Sequence, residues 1–310
     1  MLETQHAHIN NWFFARFRSG FPRISDKIDC LFLSSPMLET QMALAQSTIK
    51  AYESRIKILK AIEPPLDFND PVETIKQLKG LSVLPTTLKT YYSAIIYSIG
   101  KENPSADLYR KEIKDVTESV KSVAKEQTLS EKEEKKYLPW SDIINATNEI
   151  VRNPSISDMD KLLVQLYTYM PPVRSDYANL EIVKRKTDKA TGNYIQIMKS
   201  GAMIRINDHK TSKTYGALIK EVPKQLAKKL YQYTIINPSL KVLFPMTENA
   251  LGKRIQKLYK NQTGKEIGIT ALRHSYISDM RKNDLPLKDK EWIAKEMGNS
   301  LSEQELYRKI

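Results

Sequence analysis

Four separated segments of this chain carry side chains able to do chemistry. PPVRSDYANLEI sets Arg174 just past a helix stop at Pro171 and Pro172. HKTSKT offers Lys210 and Lys213 at a hairpin tip. ITALRHSYISD opens a helical stripe of Leu272, Tyr276, Ile277 and Met280 that carries Arg273, and MGNSLSEQELYRKI leads to Tyr307. A guanidinium is a permanent cation whose planar fork of donors matches phosphate or carboxylate oxygens. A lysine is a compact charge that can surrender a proton, and a tyrosine oxygen is a nucleophile once activated. Each residue alone has a plainer reading. Most arginines are surface or ion-pair residues, a KTSKT turn is usually a solvated loop, and a tyrosine near a chain end usually packs its ring on a helix edge. The information lies in their order and their flanks.

The chain that must position them has 310 residues, enough for two domains. Hydrophobic residues make up 41% and charged residues 27%, an ordinary balance that supplies real cores. Forty-nine Lys and Arg against 36 Asp and Glu leave a net charge of +13. A surplus of that size favours a polyanion, because each phosphate neutralised releases bound counterions. The single cysteine, Cys30, allows no disulfide within one chain and no CxxC metal site. His6, His8, His209 and His274 are too scattered for a zinc site. No apolar run approaches the roughly 18 residues of a membrane span, and the first residues lack a signal-peptide pattern. The expectation is an intracellular protein with no cofactor, no metal and no membrane partner.

Residues 1–44 read as an N-terminal extension. Its first 36 residues mix Trp12, Phe13, Phe14, Phe17 and Phe21 with Arg16, Arg18 and Arg23 without a clean period. MLETQ at 1–5 recurs at 37–41, too short a unit for a repeat architecture, so Met37 is a second start or the leader is an independent arm. Residues 45–124 read as a helical domain. Ile49, Tyr52, Ile56 and Leu59 follow a Ser47 cap on one face, and Pro64 and Pro65 stop that helix. A short helix at 72–79 follows. A third helix opens after Pro85 with Leu88, Tyr91, Ile95 and Ile99 on its stripe. Ser105 caps a fourth, with Leu108, Ile113, Val116, Val120 and Val123 on its stripe. The Tyr91–Tyr92 pair reads as core. Residues 125–137, KEQTLSEKEEKKY, are polar and of mixed charge, a linker. Residues 138–310 form the second domain. Helices are expected from a Ser141 cap and near 157–170, then three strands at Tyr194–Met198, Met203–Asn207 and Ala217–Val222. Further helices are expected near 223–235, 247–262, 270–283 and 288–297. The fold class is mostly α with a small antiparallel β-sheet.

In this order Arg174, the KTSKT hairpin, LRHSYIS, MGNS and Tyr307 resemble the tyrosine recombinases, the phage-type integrases. The resemblance covers 138–310 well and 45–124 loosely, through STIKAYESRIKIL and TTLKTYYSAI. RHSYIS, then MGNS, then a tyrosine eight residues past Asn299 is its most specific part. It implies a helical DNA-clamping domain joined by a linker to an α+β catalytic domain, acting on double-stranded DNA as a homo-tetramer. It also implies the roles. Tyr307 attacks a phosphodiester and forms a covalent 3′-phosphotyrosine link with a free 5′ hydroxyl. Arg174 and Arg273 hold the phosphate, and Lys210 or Lys213 protonates the leaving oxygen, with Lys210 favoured. Because the bond energy is retained, rejoining needs neither ATP nor metal.

Two positions depart from the family pattern. The histidine of its His-x-x-Arg box is Thr270 here, and His274 follows Arg273 instead of preceding it. The family's late His or Trp is Asn299. Both residues can hydrogen-bond a phosphate oxygen, but neither relays a proton at neutral pH. The acid that usually follows the first arginine by three residues is Asp176, two residues on. Two alternatives therefore stay open beside the recombinase: a type IB topoisomerase-like enzyme that relaxes DNA, and a DNA-binding relative that does not cut. Only three residues follow Tyr307, so the expectation is either a truncated chain or contacts between subunits through another surface, with the 1–36 leader as the candidate.

Overall fold

Asp70 marks where helices begin in this chain: its carboxylate accepts from the Glu73 amide, and Pro71 occupies the first turn, where a missing N–H costs nothing. The computed structural model describes Leu44 and residues 46–183, 192–212, 216–282 and 285–309. The expectations for the leader, the Ser47 side chain and Lys213 lie outside the described residues. The chain divides into two compact units, one ending at Val120 and the other starting at Lys121.

The first unit holds α1 (Gln46–Lys60), α2 (Pro71–Gly80), α3 (Pro85–Ile99) and most of α4 (Ala106–Lys125). Its core is Leu59, Leu78, Tyr91, Tyr92, Ile95 and Tyr109, so the tyrosine pair of α3 is core as expected. On α4 the expected stripe is only half right. Leu108 and Val123 are exposed, and the buried positions are Ala106 and Tyr109. Tyr109 goes inward because its hydroxyl finds the Phe68 carbonyl at 3.1 Å. Ser105 donates to the Asn69 carbonyl, tying the start of α4 to the loop before α2.

The segment read as a linker has structure of its own. A capping box between Ser130 and Glu133 starts the short helix α5 (Glu131–Glu134). Helix α6 (Trp140–Arg152) begins one residue before Ser141, with Pro139 at the cap position, so Ser141 lies in the first turn. Ser157 does cap α7 (Asp158–Thr168), accepting from the Asp160 amide. The sheet follows: β1 (Glu181–Val183), β2 (Tyr194–Met198), β3 (Gly201–Ile206) and β4 (Leu218–Glu221), in that spatial order. The three expected strands form its antiparallel part, and β1 adds a parallel edge, making the sheet mixed. At three residues, β1 is too short to show alternation. Helices α8 (Lys224–Ile236), α9 (Glu248–Thr263), α10 (Ile269–Met280), α11 (Leu287–Glu296) and α12 (Leu301–Tyr307) complete the unit.

Helix α8 packs on β2 and β3, α11 on β4, and α6 against α7, α9 and α10. Trp140 of α6 meets Tyr276 of α10 edge to face at 5.1 Å, and Thr147 of α6 shares a hydrogen bond of 2.8 Å with Tyr259 of α9, so α6 holds both helices. Among the described residues no helix is long and apolar enough to cross a membrane.

Asp160 shows what holds α7 to α9. Its side chain is 1% exposed and accepts from Arg254 Nε at 2.7 Å and Ser157 Oγ at 2.6 Å. Burial works to raise its pKa, but the bonds from Arg254 and Ser157 outweigh it and hold the carboxyl below its usual range. The pair therefore stabilises the fold above the unfolded carboxylate range, and that contribution fades as acid takes the pH down through the lowered folded value. Arg254 is 41% exposed, so water screens the pair. Arg254→Met is expected to lose about 1 kcal/mol in urea unfolding at pH 7, below the range of fully buried pairs. The gap between variant and wild type should shrink near pH 3.

Candidate active site

Helix α11 ends in a Schellman turn. Gly298 stands at φ +62, its amide donates to Lys295 and the Asn299 amide to Ala294. Those two bonds leave the carbonyls of Glu296, Met297 and Gly298 facing inward at the negative end of the helix. Three cations answer them in succession. Lys220 Nζ donates to Glu296 O at 2.7 Å, Arg273 Nη1 to Met297 O at 3.2 Å and Arg174 Nη1 to Gly298 O at 3.1 Å.

Two of these cations also bind the stretch that follows α7. Lys220 also donates to Pro171 O at 3.1 Å, and Arg273 to Pro172 O at 2.8 Å. Tyr167, at the buried core of α7, gives its hydroxyl to the carbonyl of Arg174. Lys220 is 1% exposed and pairs with Glu296 Oε2 at 3.2 Å; burial pushes its pKa down, against the pull of Glu296. Sequence reasoning missed Lys220. A strand of alternating LIKE gives no sign that its lysine faces inward, although Leu218 and Lys220 share the buried face.

The two expected arginines meet on one atom. Arg174 Nη2 and Arg273 Nη2 donate to Asn299 Oδ1 at 3.0 and 2.8 Å. Asn299 Nδ2 and Arg273 Nε are buried without a partner. Arg273 is 1% exposed; burial lowers its pKa, attraction to Tyr307 opposes this, and Arg174 adds to it. Asp176 lies beside both arginines. Burial raises its carboxyl pKa, against His209, Arg174 and Arg273, which lower it. Two guanidiniums and one such acid leave the site net positive.

Tyr307 is the last residue of α12, and the Arg273 guanidinium lies 5.4 Å from its ring centre. Both line a cavity of about 700 Å³ together with Arg174, Thr270, His274 and Lys136. The structure thus brings Arg174, Arg273, Asn299 and Tyr307 together and sets Thr270 on the wall of the same cavity, exposed in the first turn of α10. Lys210 is exposed and lies apart from those walls, in the loop between β3 and β4. Its neighbours are pinned: His209 Nε2 bonds Gly216 O at 2.8 Å, and Thr211 Oγ1 donates to Gly298 O at 3.1 Å. Among the described residues no group of three or more His, Cys, Asp or Glu is placed to hold a metal.

No protein-family model matches the sequence, and no curated protein is significantly similar to it. Solved structures align over most of its length. A crystal structure of XerA recombinase shares 14% identity at a TM-score of 0.42, covering 86% of this chain and 88% of that one. Protelomerase TelA covalently complexed with substrate DNA shares 12% at 0.44, with the same coverage. An arginine-to-alanine mutant of that protelomerase, complexed with a DNA hairpin product, shares 11% at 0.43, again with the same coverage. Scores this low leave the chemistry to be judged on this chain's own residues.

Gly298 is the hinge of the arrangement. A Cβ there would stand 3.2 Å from Leu218 Cδ1 and 3.9 Å from Arg174 Nη1, at a φ that side chains disfavour. Gly298→Ala is expected to cost about 1–3 kcal/mol in chemical unfolding. Its larger effect should be on anion binding, since the strain falls on the carbonyls that aim both arginines. Inorganic phosphate or sulfate titrated against wild type and variant measures this.

Proposed function

We propose that this protein is a DNA strand transferase of the tyrosine-recombinase kind, which cuts and rejoins double-stranded DNA through a covalent 3′-phosphotyrosine intermediate. The observation that carries the reading is the convergence of Arg174 and Arg273 on a single oxygen, with the Tyr307 ring beside one of them. One acceptor held by two permanent cations is the arrangement that stabilises a phosphodiester gathering negative charge on its non-bridging oxygens. In the proposed step the Tyr307 phenol oxygen bonds to phosphorus and loses its proton, the bond from phosphorus to the 5′ oxygen breaks, and that oxygen gains a proton. Attack by a 5′ hydroxyl reverses the step and frees the tyrosine, so no external energy source enters.

Arg174 and Arg273 are assigned to the non-bridging oxygens. Asn299 Nδ2, buried and unpaired, is a third donor available to the same phosphate, and Thr270 a fourth from the cavity wall. The proton for the leaving oxygen is assigned to Lys210 or Lys213, between β3 and β4. Residues 45–124 are assigned to gripping the duplex and 125–137 to crossing it. Recombination of two sites by a tetramer is the biological form we favour.

On a nicked suicide duplex, wild type should accumulate a covalent adduct resistant to denaturant, and Tyr307→Phe should form none. An adduct in that variant removes Tyr307 as the nucleophile. Relaxation of supercoiled plasmid without exchange between sites would point to a topoisomerase, and tight binding with no adduct to a non-cleaving relative. Arg174→Lys and Arg273→Lys should each slow adduct formation by about 100-fold or more.

The lysine assignment has its own test. With sulfur in place of the bridging 5′ oxygen, the leaving group is a thiolate whose acid has a pKa of about 8.5 and needs no proton. That substrate should restore cutting to whichever of Lys210→Ala and Lys213→Ala removes the acid. It should not restore the arginine variants.

A further inference from the structure

Helix α12 has seven residues, too few to hold its own shape in water, and Tyr307 closes it. What aims the phenol must therefore come from outside the helix. Arg281 pairs with Glu305 at 3.1 Å and reaches Gln304 Oε1 at 3.2 Å. Past the tyrosine, the Lys309 amide donates to Ser278 Oγ at 2.8 Å, and its ammonium donates to Thr128 O at 3.0 Å and pairs with Glu133. These contacts fasten the helix and the chain after it. They do not touch the tyrosine ring.

His274 does. Its ring stacks on that of Tyr307, with centroids 4.6 Å apart and an interplanar angle of 22°. Its Nδ1 lies 2.7 Å from the Tyr307 carbonyl. A carbonyl only accepts, so Nδ1 carries the hydrogen, and the bond survives whether or not Nε2 is protonated. That carbonyl belongs to the last turn of α12, where no intrahelical donor reaches it. One side chain thus holds both the main chain and the ring of the same residue, from the position directly after Arg273. We infer that His274 is a positioning residue for the nucleophile: it locks the Tyr307 ring beside the Arg273 guanidinium by stacking and by a hydrogen bond to the main chain. The inference rests on Tyr307 being the nucleophile, as proposed above. An apolar aromatic would stack without anchoring the backbone, and an amide would anchor without stacking.

The test uses the full chain and three variants, with Tyr307→Phe as the blank. His274→Phe keeps the stack and loses the donor, His274→Asn keeps a donor and loses the stack, and His274→Ala loses both. Two quantities are read on the nicked duplex: the single-turnover rate of adduct formation at saturating protein, and the duplex Kd. A third, hydrogen exchange across 301–309, needs no activity. His274→Ala should slow adduct formation about 100-fold, the scale of a misplacement near 1 Å, while the Kd stays within about twofold. His274→Phe and His274→Asn should each recover part of that rate. Exchange should rise in 301–309 and stay unchanged in α10 of the His274→Phe and His274→Asn variants.

An unchanged rate in His274→Ala overturns the inference. So does a parallel loss of rate and duplex binding with exchange raised throughout α10 in all three variants, which marks a merely structural residue. If wild type forms no adduct, the functional reading fails, and the exchange data still decide whether His274 holds the tyrosine. If His274→Ala does not fold, the Phe and Asn variants carry the same comparison.

Discussion

The site depends on the carboxyl end of one helix. A Schellman turn at Gly298 satisfies the carbonyls of Ala294 and Lys295 and leaves the next three without partners in the helix. Buried carbonyls of that kind must be answered or the fold loses stability. Here the answer comes from Lys220 on β4, Arg273 on α10 and Arg174 after α7, with Thr211 of the β3–β4 loop sharing the third. Three regions far apart in sequence, the segment after α7, the β3–β4 loop with β4, and α10, are thereby registered against one short stretch of chain. The helix dipole favours cations at this end, and Lys220 and Arg273 are held further by the adjacent carbonyls of Pro171 and Pro172, one each.

That arrangement has an electrostatic consequence. Arg174 and Arg273 approach a common point although they repel, and the repulsion appears in the lowered pKa of Arg273, behind the larger effect of its burial. Carbonyl dipoles, the Asn299 oxygen and the nearby Asp176 carboxyl hold them together. None of these neutralises the pair fully, so a surplus of positive charge remains in a partly desolvated site, where it acts at a lower effective dielectric than in water. That surplus would favour an anion beside the two guanidiniums.

Much of this is legible in the sequence, and the limits have physical causes. Strand β2 can be read to the residue because Tyr-Ile-Gln-Ile-Met is bounded by a Lys-Ser turn that the hairpin uses. Arg174 and Arg273 are found by their flanks, Pro-Pro before one and a helical stripe around the other. Lys220 escapes, since alternation shows which face a residue takes but not that a lysine can be satisfied inside; only the two carbonyls and Glu296 do that. Helix α12 escapes because seven residues with few apolar positions give no period, and its order comes from Arg281 and Ser278. The stripe on α4 fails for the opposite reason. Its apolar residues are periodic, but Tyr109 wins the buried position by having a carbonyl for its hydroxyl.

Asn299 is where sequence and structure together say most. Set against the family pattern it looks like a loss, a residue that cannot relay a proton. In place it does something a histidine or tryptophan cannot do with the same atoms. A carboxamide presents an acceptor and a donor from one carbon, and the two guanidiniums dictate which faces them: the oxygen must, because an NH₂ turned toward two cations would be repelled. The nitrogen is then left pointing away from the arginines, buried and free. On the proposed function, a phosphate oxygen entering between Arg174 and Arg273 would compete for the donors that Asn299 Oδ1 occupies, and the displaced amide would still have its nitrogen to offer. On that proposal Asn299 organises charge and transfers no proton. If the chain cuts DNA, its burden of acid catalysis falls on the β3–β4 loop.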